Sequence, residues 1–252
     1  MISVSSTTFC AQNIEDTLRE VSKEFDHWEI FSEGEHYLQN VLSRFGAAAP
    51  SYKMKYSIHA PICDVNLAAL SERMREASTM EMMATMEQAI SMEVKLITIH
   101  PGVHSMAIAG QEEKSIARAK KSLRTLDRVT SEYGIKIALE NMPSFQFFLG
   151  RTAQELKELV DGTDIGICYD IGHANTTGQI DAIPELLGDR ILNIHIHDNN
   201  GKTDEHLTIG EGNIDFQKVL GKLTKYKGNY VIESKSLASA VESKKKLKAM
   251  LG

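Results

Sequence analysis

Short apolar runs rich in β-branched residues alternate with longer charged, amphipathic stretches from one end of this chain to the other. No other feature limits its fold as strongly. The runs cover residues 2–5, 28–31, 55–59, 96–100, 136–140, 166–170, 191–197 and 230–233. Between them lie stretches of helical character, such as 66–91, where Leu67, Leu70, Met74, Ala77, Met80 and Met83 recur at spacings of three and four. That stripe, with the methionine cluster from Met74 to Met92, reads as a face covering the sheet or a subunit contact, because methionines at helical spacing usually pack. Segments 111–133 and 152–160 are also helical in pattern. Thr152 and Glu155 are spaced as a capping box, and Gly134 stands where a helix should stop before a strand over 135–140.

Eight strands alternating with seven or eight helices, with no Pro/Gly-rich linker, predict one closed parallel sheet. The expected fold is α/β, a (β/α)8 TIM barrel forming a single domain over residues 1–252, a length that suits this architecture. An open doubly wound sheet would want a glycine-rich phosphate loop after an early strand, and neither GxGxxG nor GxxxxGK[ST] occurs. The formal net charge of −6 favours small or neutral partners over a long phosphate backbone. The three cysteines are far apart and form no CxxC, which argues against a disulfide framework or a thiolate zinc site and for a reducing compartment. The N-terminus lacks a basic segment followed by an apolar run, and no apolar stretch approaches the ~18 residues a bilayer requires. The expectation is a cytoplasmic protein without a membrane partner; a homo-oligomer is compatible with the sequence.

The chemistry lies at the ends of the runs. They finish as SIHAP (His59), ITIHPG (His100), ALENMP (Glu140), CYDIGH (Asp170, His173), IHIHD (His195, His197, Asp198) and VIES (Glu233). Asp204 and His206 follow in the loop after the seventh strand. Alone, a strand-end histidine is an ordinary hydrogen-bonded residue, and a strand-end glutamate an ordinary cap. Together they lie on the one face where barrel enzymes build their sites. Glu140, Asp170 and Glu233 each follow an apolar run, and three carboxylates in one barrel mouth repel one another. A divalent cation is the simplest neutraliser, and imidazoles beside the carboxylates favour Zn or Mn over Mg or Ca.

These motifs, in this order from His59 to Glu233, resemble the xylose isomerase-like TIM barrels, which include endonuclease IV and the sugar phosphate isomerases and epimerases. The resemblance to endonuclease IV implies three zinc ions held by His59, His100, Glu140, Asp170, His173, His195, Asp204, His206 and Glu233. The resemblance to ketose 3-epimerases implies one ion held by Glu140, Asp170, His195 and Glu233. Both sets are complete here. The flanking residues differ from the nuclease pattern. DIGH stands for its DTCH, HIHD for its HLND, and the acidic SEGEHY (32–37) for a DNA-penetrating loop with Arg, Gln and Trp.

The favoured expectation is therefore a metal-dependent isomerase or epimerase acting on a sugar or sugar phosphate. Glu140 and Glu233 would exchange a proton beside a carbonyl that the ion polarises. His173 and His197 would bind substrate hydroxyls or orient ligands, with Asp198 behind an imidazole. Trp28, Phe31, Phe145, Phe147 and Phe148 would wall the pocket, the last three being equally suited to packing on the rim. The alternative is a trinuclear zinc phosphodiesterase acting on abasic DNA, with Lys202 against the backbone. A barrel that only binds sugar or metal has no need of two opposed carboxylates on one cation.

Overall fold

The computed structural model describes residues 1–105 and 107–252. Its strands are β1 (Ile2–Ser5), β2 (His27–Phe31), β3 (Lys55–His59), β4 (Leu96–Ile99), β5 (Lys136–Glu140), β6 (Gly166–Asp170), β7 (Ile191–Ile196) and β8 (Asn229–Ile232). They pair in sequence order, all parallel, and β1 closes on β8 through Ile2↔Tyr230 and Val4↔Ile232. All eight C-terminal strand ends therefore open on one face. The helices outside are α1 (Ile14–Glu24), α2 (Leu38–Ala48), α3 (Glu72–Ser91), α4 (Glu112–Tyr133), α5 (Ala153–Leu159), α6 (Ile171–Thr177), α7 (Ala182–Leu187), α8 (Phe216–Lys222) and α9 (Leu237–Leu251). The extra helix over the expected count arises because α6 and α7 both lie between β6 and β7. The result is the single TIM barrel that the alternation predicts.

Local chemistry explains the element ends. Gly134 ends α4 at φ +64°, a left-handed backbone that costs a glycine nothing. Thr152 accepts the amide of Glu155 as a cap should, but the Glu155 carboxylate reaches the amide of Arg151 instead of that of Thr152. The capping box is thus half formed.

Helix α3 corrects one half of the sequence reading, that the methionine stripe covers the sheet. Met74, Ala77 and Met80 of the expected stripe face outward, with Met80 68% exposed. The buried face carries Arg75, Ser78, Thr79, Met82, Thr85, Met86 and Ala89. Hydroxyls make this polar face buriable. Ser78, Thr79 and Thr85 donate to the carbonyls four residues earlier, and Arg75 reaches Glu72 and Ser122. Hydrophobic spacing alone therefore points about one side chain away from the true inner face. The three cysteines are free, and among the described residues no helix is long and apolar enough to cross a membrane.

Candidate metal centre

Alternate residues of each strand point into the barrel, and here the inner layers are polar rather than aliphatic. A lower layer is one hydrogen-bonded group. The Glu29 carboxylate, fully buried, accepts from Nε2 of His195 at 2.7 Å, Nδ2 of Asn193 at 2.8 Å and Oγ of Ser57 at 3.0 Å. Asn193 also donates to Thr98 at 3.1 Å. Above it, the strand-end residues singled out in the sequence converge on the mouth as three donor groups.

The first comprises His59, His100 and Glu140. The Nε2 atoms of the two histidines lie 3.0 and 3.3 Å from Oε2 of Glu140. The second is centred on Nδ1 of His195, with Glu140 Oε1 at 3.3 Å, Glu233 Oε1 at 3.5 Å and Asp170 Oδ2 at 3.9 Å. The third contains His173, His197, Asp204 and His206. Asp204 Oδ2 lies 3.3 Å from His173 Nε2 and 3.1 Å from His206 Nε2, and its Oδ1 is 3.3 Å from His197 Nε2. Glu140 belongs to the first two groups and also approaches Nδ1 of His173 at 3.4 Å.

The electrostatics follow from packing carboxylates and imidazoles together away from water. Burial alone would raise the carboxyl of Glu140, but His195, His100 and His59 outweigh it and hold the group well below the usual carboxylate range. Burial would likewise lower His195 and His173. The surrounding carboxylates reverse the sign: Glu140, Glu29 and Glu233 for the first, Asp170 and Asp204 for the second, and both lie well above an ordinary histidine. At His100, mostly buried at the mouth, desolvation outweighs the pull of Glu140 and the pKa falls. The structure thus stores positive charge as protons where a cation would neutralise the same carboxylates.

The residues fit a divalent ion on a second, independent count. Buried polar atoms normally find partners, yet among the described residues Asp170 Oδ2, His195 Nδ1, both ring nitrogens of His197, Asp204 Oδ1 and His206 Nδ1 have no hydrogen-bond partner. Several are the atoms that converge in the second and third groups. The opposite ring nitrogens are tied down. His59 and His173 donate through Nδ1 to the carbonyls of Ala60 and Asn141, each at 2.8 Å, and His195 donates through Nε2 to Glu29. A carbonyl or carboxylate can only accept, so the facing nitrogen keeps its proton. An ion arriving among the carboxylates would displace any proton on the other nitrogen and take its lone pair. Nitrogen and carboxylate donors without thiolate suit Zn or Mn.

Several placements differ from the sequence expectation. Asp198 does not back an imidazole: none of its hydrogen bonds among the described residues is to a histidine. Its carboxylate accepts the amides of Asn199, Gly210, Gly212 and Ile214, and so folds the loop after β7. Glu29 occupies the role expected of Asp198. It was readable as the one carboxylate inside the apolar run HWEIF, but period two alone does not say which face points inward. His197 lies in the third donor group together with His173, the other histidine expected to bind substrate hydroxyls or orient ligands. Trp28 is fully buried against Phe45 and His36 on the outer side of the sheet, so it walls no pocket. Phe31 does reach the mouth, 5.1 Å edge-on from the His59 ring. Phe145, Phe147 and Phe148 pack on one another, and their loop pairs with the loop after β4 through Val103↔Phe148. Asn141, which braces Asp170 through both backbone groups, and Thr7, which donates to Glu233 at 2.9 Å, escaped sequence reasoning because neither residue type signals such a role.

Residues 19–250 match the family model of the xylose isomerase-like TIM barrel. An uncharacterised protein of Methanocaldococcus jannaschii is 37% identical, covering 98% of this chain and 88% of that one. A crystal structure of a D-tagatose 3-epimerase-like protein superimposes with a TM-score of 0.93 at 36% identity, covering 99% of this chain and 96% of the other. A probable endonuclease 4 of Acholeplasma laidlawii is 25% identical over 65% of this chain and 60% of its own length.

Proposed function

Because the chain belongs to the xylose isomerase-like TIM barrel family, we propose that it is a divalent-metal-dependent sugar or sugar phosphate epimerase or isomerase. The carrying observation is the second donor group, in which Glu140, Glu233 and Asp170 all face one imidazole nitrogen, Nδ1 of His195, that has no hydrogen-bond partner among the described residues. Glu140, Asp170, His195 and Glu233 would hold the ion. When bound it supplies Lewis-acid polarisation of a ketose carbonyl and the neighbouring hydroxyl, acidifying the C–H between them. One of the two glutamates takes the proton from that carbon and the other returns a proton to it. Thr7 orients the Glu233 carboxylate by its hydrogen bond at 2.9 Å. Glu29 fixes the His195 tautomer, and Phe31 beside His59 shields the mouth from water. Similarity to a D-tagatose 3-epimerase-like protein along nearly the whole chain supports this substrate class.

A second reading, a three-metal phosphodiesterase acting on abasic DNA, is favoured by the first and third donor groups and by the endonuclease 4 relatives. Against it stand the net charge of −6 and the acidic 32–37 segment, whose Glu33 is engaged with the amides of Ile62 and Cys63. The test is to load the protein with Zn, Mn or Co and assay a panel of ketoses and ketose phosphates beside duplex DNA carrying an abasic site. Metal-dependent formation of an epimer or aldose is expected. Chelator-sensitive DNA cleavage with no sugar turnover would replace the proposal with the nuclease reading.

A further inference from the structure

The third donor group contains one ligand more than the resemblance to endonuclease IV implies. That resemblance draws His173, Asp204 and His206 from this part of the mouth, whereas the structure adds His197. The imidazole of His197 is fully buried, makes no well-formed hydrogen bond on either nitrogen among the described residues, and directs Nε2 to within 3.3 Å of a carboxylate oxygen of both Asp204 and Asp170. Its room comes from Gly172. A Cβ at that glycine would lie 2.0–2.4 Å from the His197 ring atoms, so no other residue fits beneath the ring. Two sequence departures thereby become one contact. Where the nuclease pattern has Cys and Asn, in DTCH and HLND, this chain has Gly172 and His197, and the histidine requires the glycine.

We propose that His197 is a fourth protein ligand and that the group His173–His197–Asp204–His206 is a closed, structural zinc site. The spacings suit such a site. Asp204 Oδ2 lies 3.1 and 3.3 Å from Nε2 of His206 and His173, close to the edge of a tetrahedron whose metal–ligand legs are about 2.0–2.1 Å. Asp204 Oδ1 lies 3.3 Å from Nε2 of His197, and one donor atom from each of the four residues lies within 4.8 Å of the others. In the structure the His197 and His206 rings stack with centroids 4.1 Å apart, so ligation by both requires them to splay. Four protein ligands leave the ion no open position for water or substrate, which separates a structural site from a catalytic one. The ion would tie the first turn of α6, through His173, to the end of β7 and to the loop carrying Asp204 and His206. Substrate chemistry would remain with the group around His195. Retention of an ion by these four residues is independent of which substrate the His195 group takes.

The experiment compares wild type, His197→Asn and Asp204→Asn, each purified in its metal-bound form. Zn content is measured at equilibrium against a competing chelator, and the visible spectrum is recorded after Co2+ exchange. Asp204→Asn should carry one ion fewer than wild type. His197→Asn should bind that same ion at least about 10–100-fold more weakly, since even outer partners of a metal carry that much affinity. It should also lose intensity in the tetrahedral Co2+ bands and melt at lower temperature. Gly172→Ala, which crowds the ring, should mimic His197→Asn. Equal Zn affinity and equal Co2+ spectra in wild type and His197→Asn would overturn the proposal. So would an unchanged ion count in Asp204→Asn.

Discussion

Replacing Glu29 by Gln changes neither size nor burial, but it removes the charge that fixes His195. One carboxylate oxygen accepts from His195 Nε2 at 2.7 Å, and the other accepts from both Asn193 Nδ2 and Ser57 Oγ. A glutamine satisfies only half of this. If its oxygen faces His195, its NH2 meets the NH2 of Asn193. If its NH2 faces His195, the imidazole must accept at Nε2 and carry its proton on Nδ1, toward Glu140, Asp170 and Glu233. Burial would raise the Glu29 carboxyl, yet the positive His195 beside it, with help from His59 and Asn193, keeps it below its usual value, so a true anion is being lost. A hydrogen bond to a charged group contributes about 1.5–3 kcal/mol. At about 1.4 kcal/mol per tenfold, that predicts an ion bound roughly 10–150-fold more weakly at the His195 group. The assay is competition between protein and chelator for Zn or Mn, with 15N chemical shifts of the His195 ring reporting the tautomer. Wild-type affinity together with an unchanged tautomer in Glu29→Gln would refute the bracing role.

Two further perturbations probe other parts of the molecule. His36 is fully buried between Ser6 and Thr17, with its ring edge-on to Trp28, and burial pushes its pKa from 6.5 down to about 4. The unfolded chain therefore binds a proton that the folded chain refuses. Stability is fully present above pH 6.5 and falls by about 3 kcal/mol as the pH drops toward 4. Urea denaturation between pH 7 and 4 should show this slope reduced in His36→Gln, and an identical slope would contradict it. Asp198→Asn should destabilise the protein by about 2–4 kcal/mol, because one carboxylate serves four backbone amides and an amide serves them poorly. Denaturation midpoints within a few tenths of a kcal/mol of wild type would show that the loop holds itself.

The alternation of runs and amphipathic stretches was enough to read the barrel, because eight parallel strands with helical crossovers have one closed solution. Strand ends were legible for a related reason: His59, His100, Glu140, Asp170, His195 and Glu233 each interrupt an apolar run where burying a polar group needs a partner. What lay inside the barrel was harder. Glu29 and Asn193 sit within strands, and which of two faces points inward depends on register against neighbours far away in sequence. Asp198 was misread because a carboxylate next to a histidine suggests an imidazole partner, whereas its true partners are amides 12 to 16 residues downstream. The inner face of α3 was hidden by serine and threonine hydroxyls that satisfy themselves on the helix's own backbone.

The most direct test of the central claim is incorporation of solvent deuterium into a ketose at the carbon beside its carbonyl. Metal-loaded wild type, incubated in D2O with the ketose panel, should wash deuterium into that position on at least one sugar. Glu140→Gln and Glu233→Gln should each lower the rate by on the order of 10²–10⁴, the usual contribution of a positioned acid or base. His59→Ala, whose side chain belongs to the first donor group and not to the group around His195, should cost far less. Equal and severe losses for His59→Ala and Glu140→Gln would contradict proton transfer at a single ion. Absence of wash-in by wild type on every sugar would contradict the isomerase account altogether.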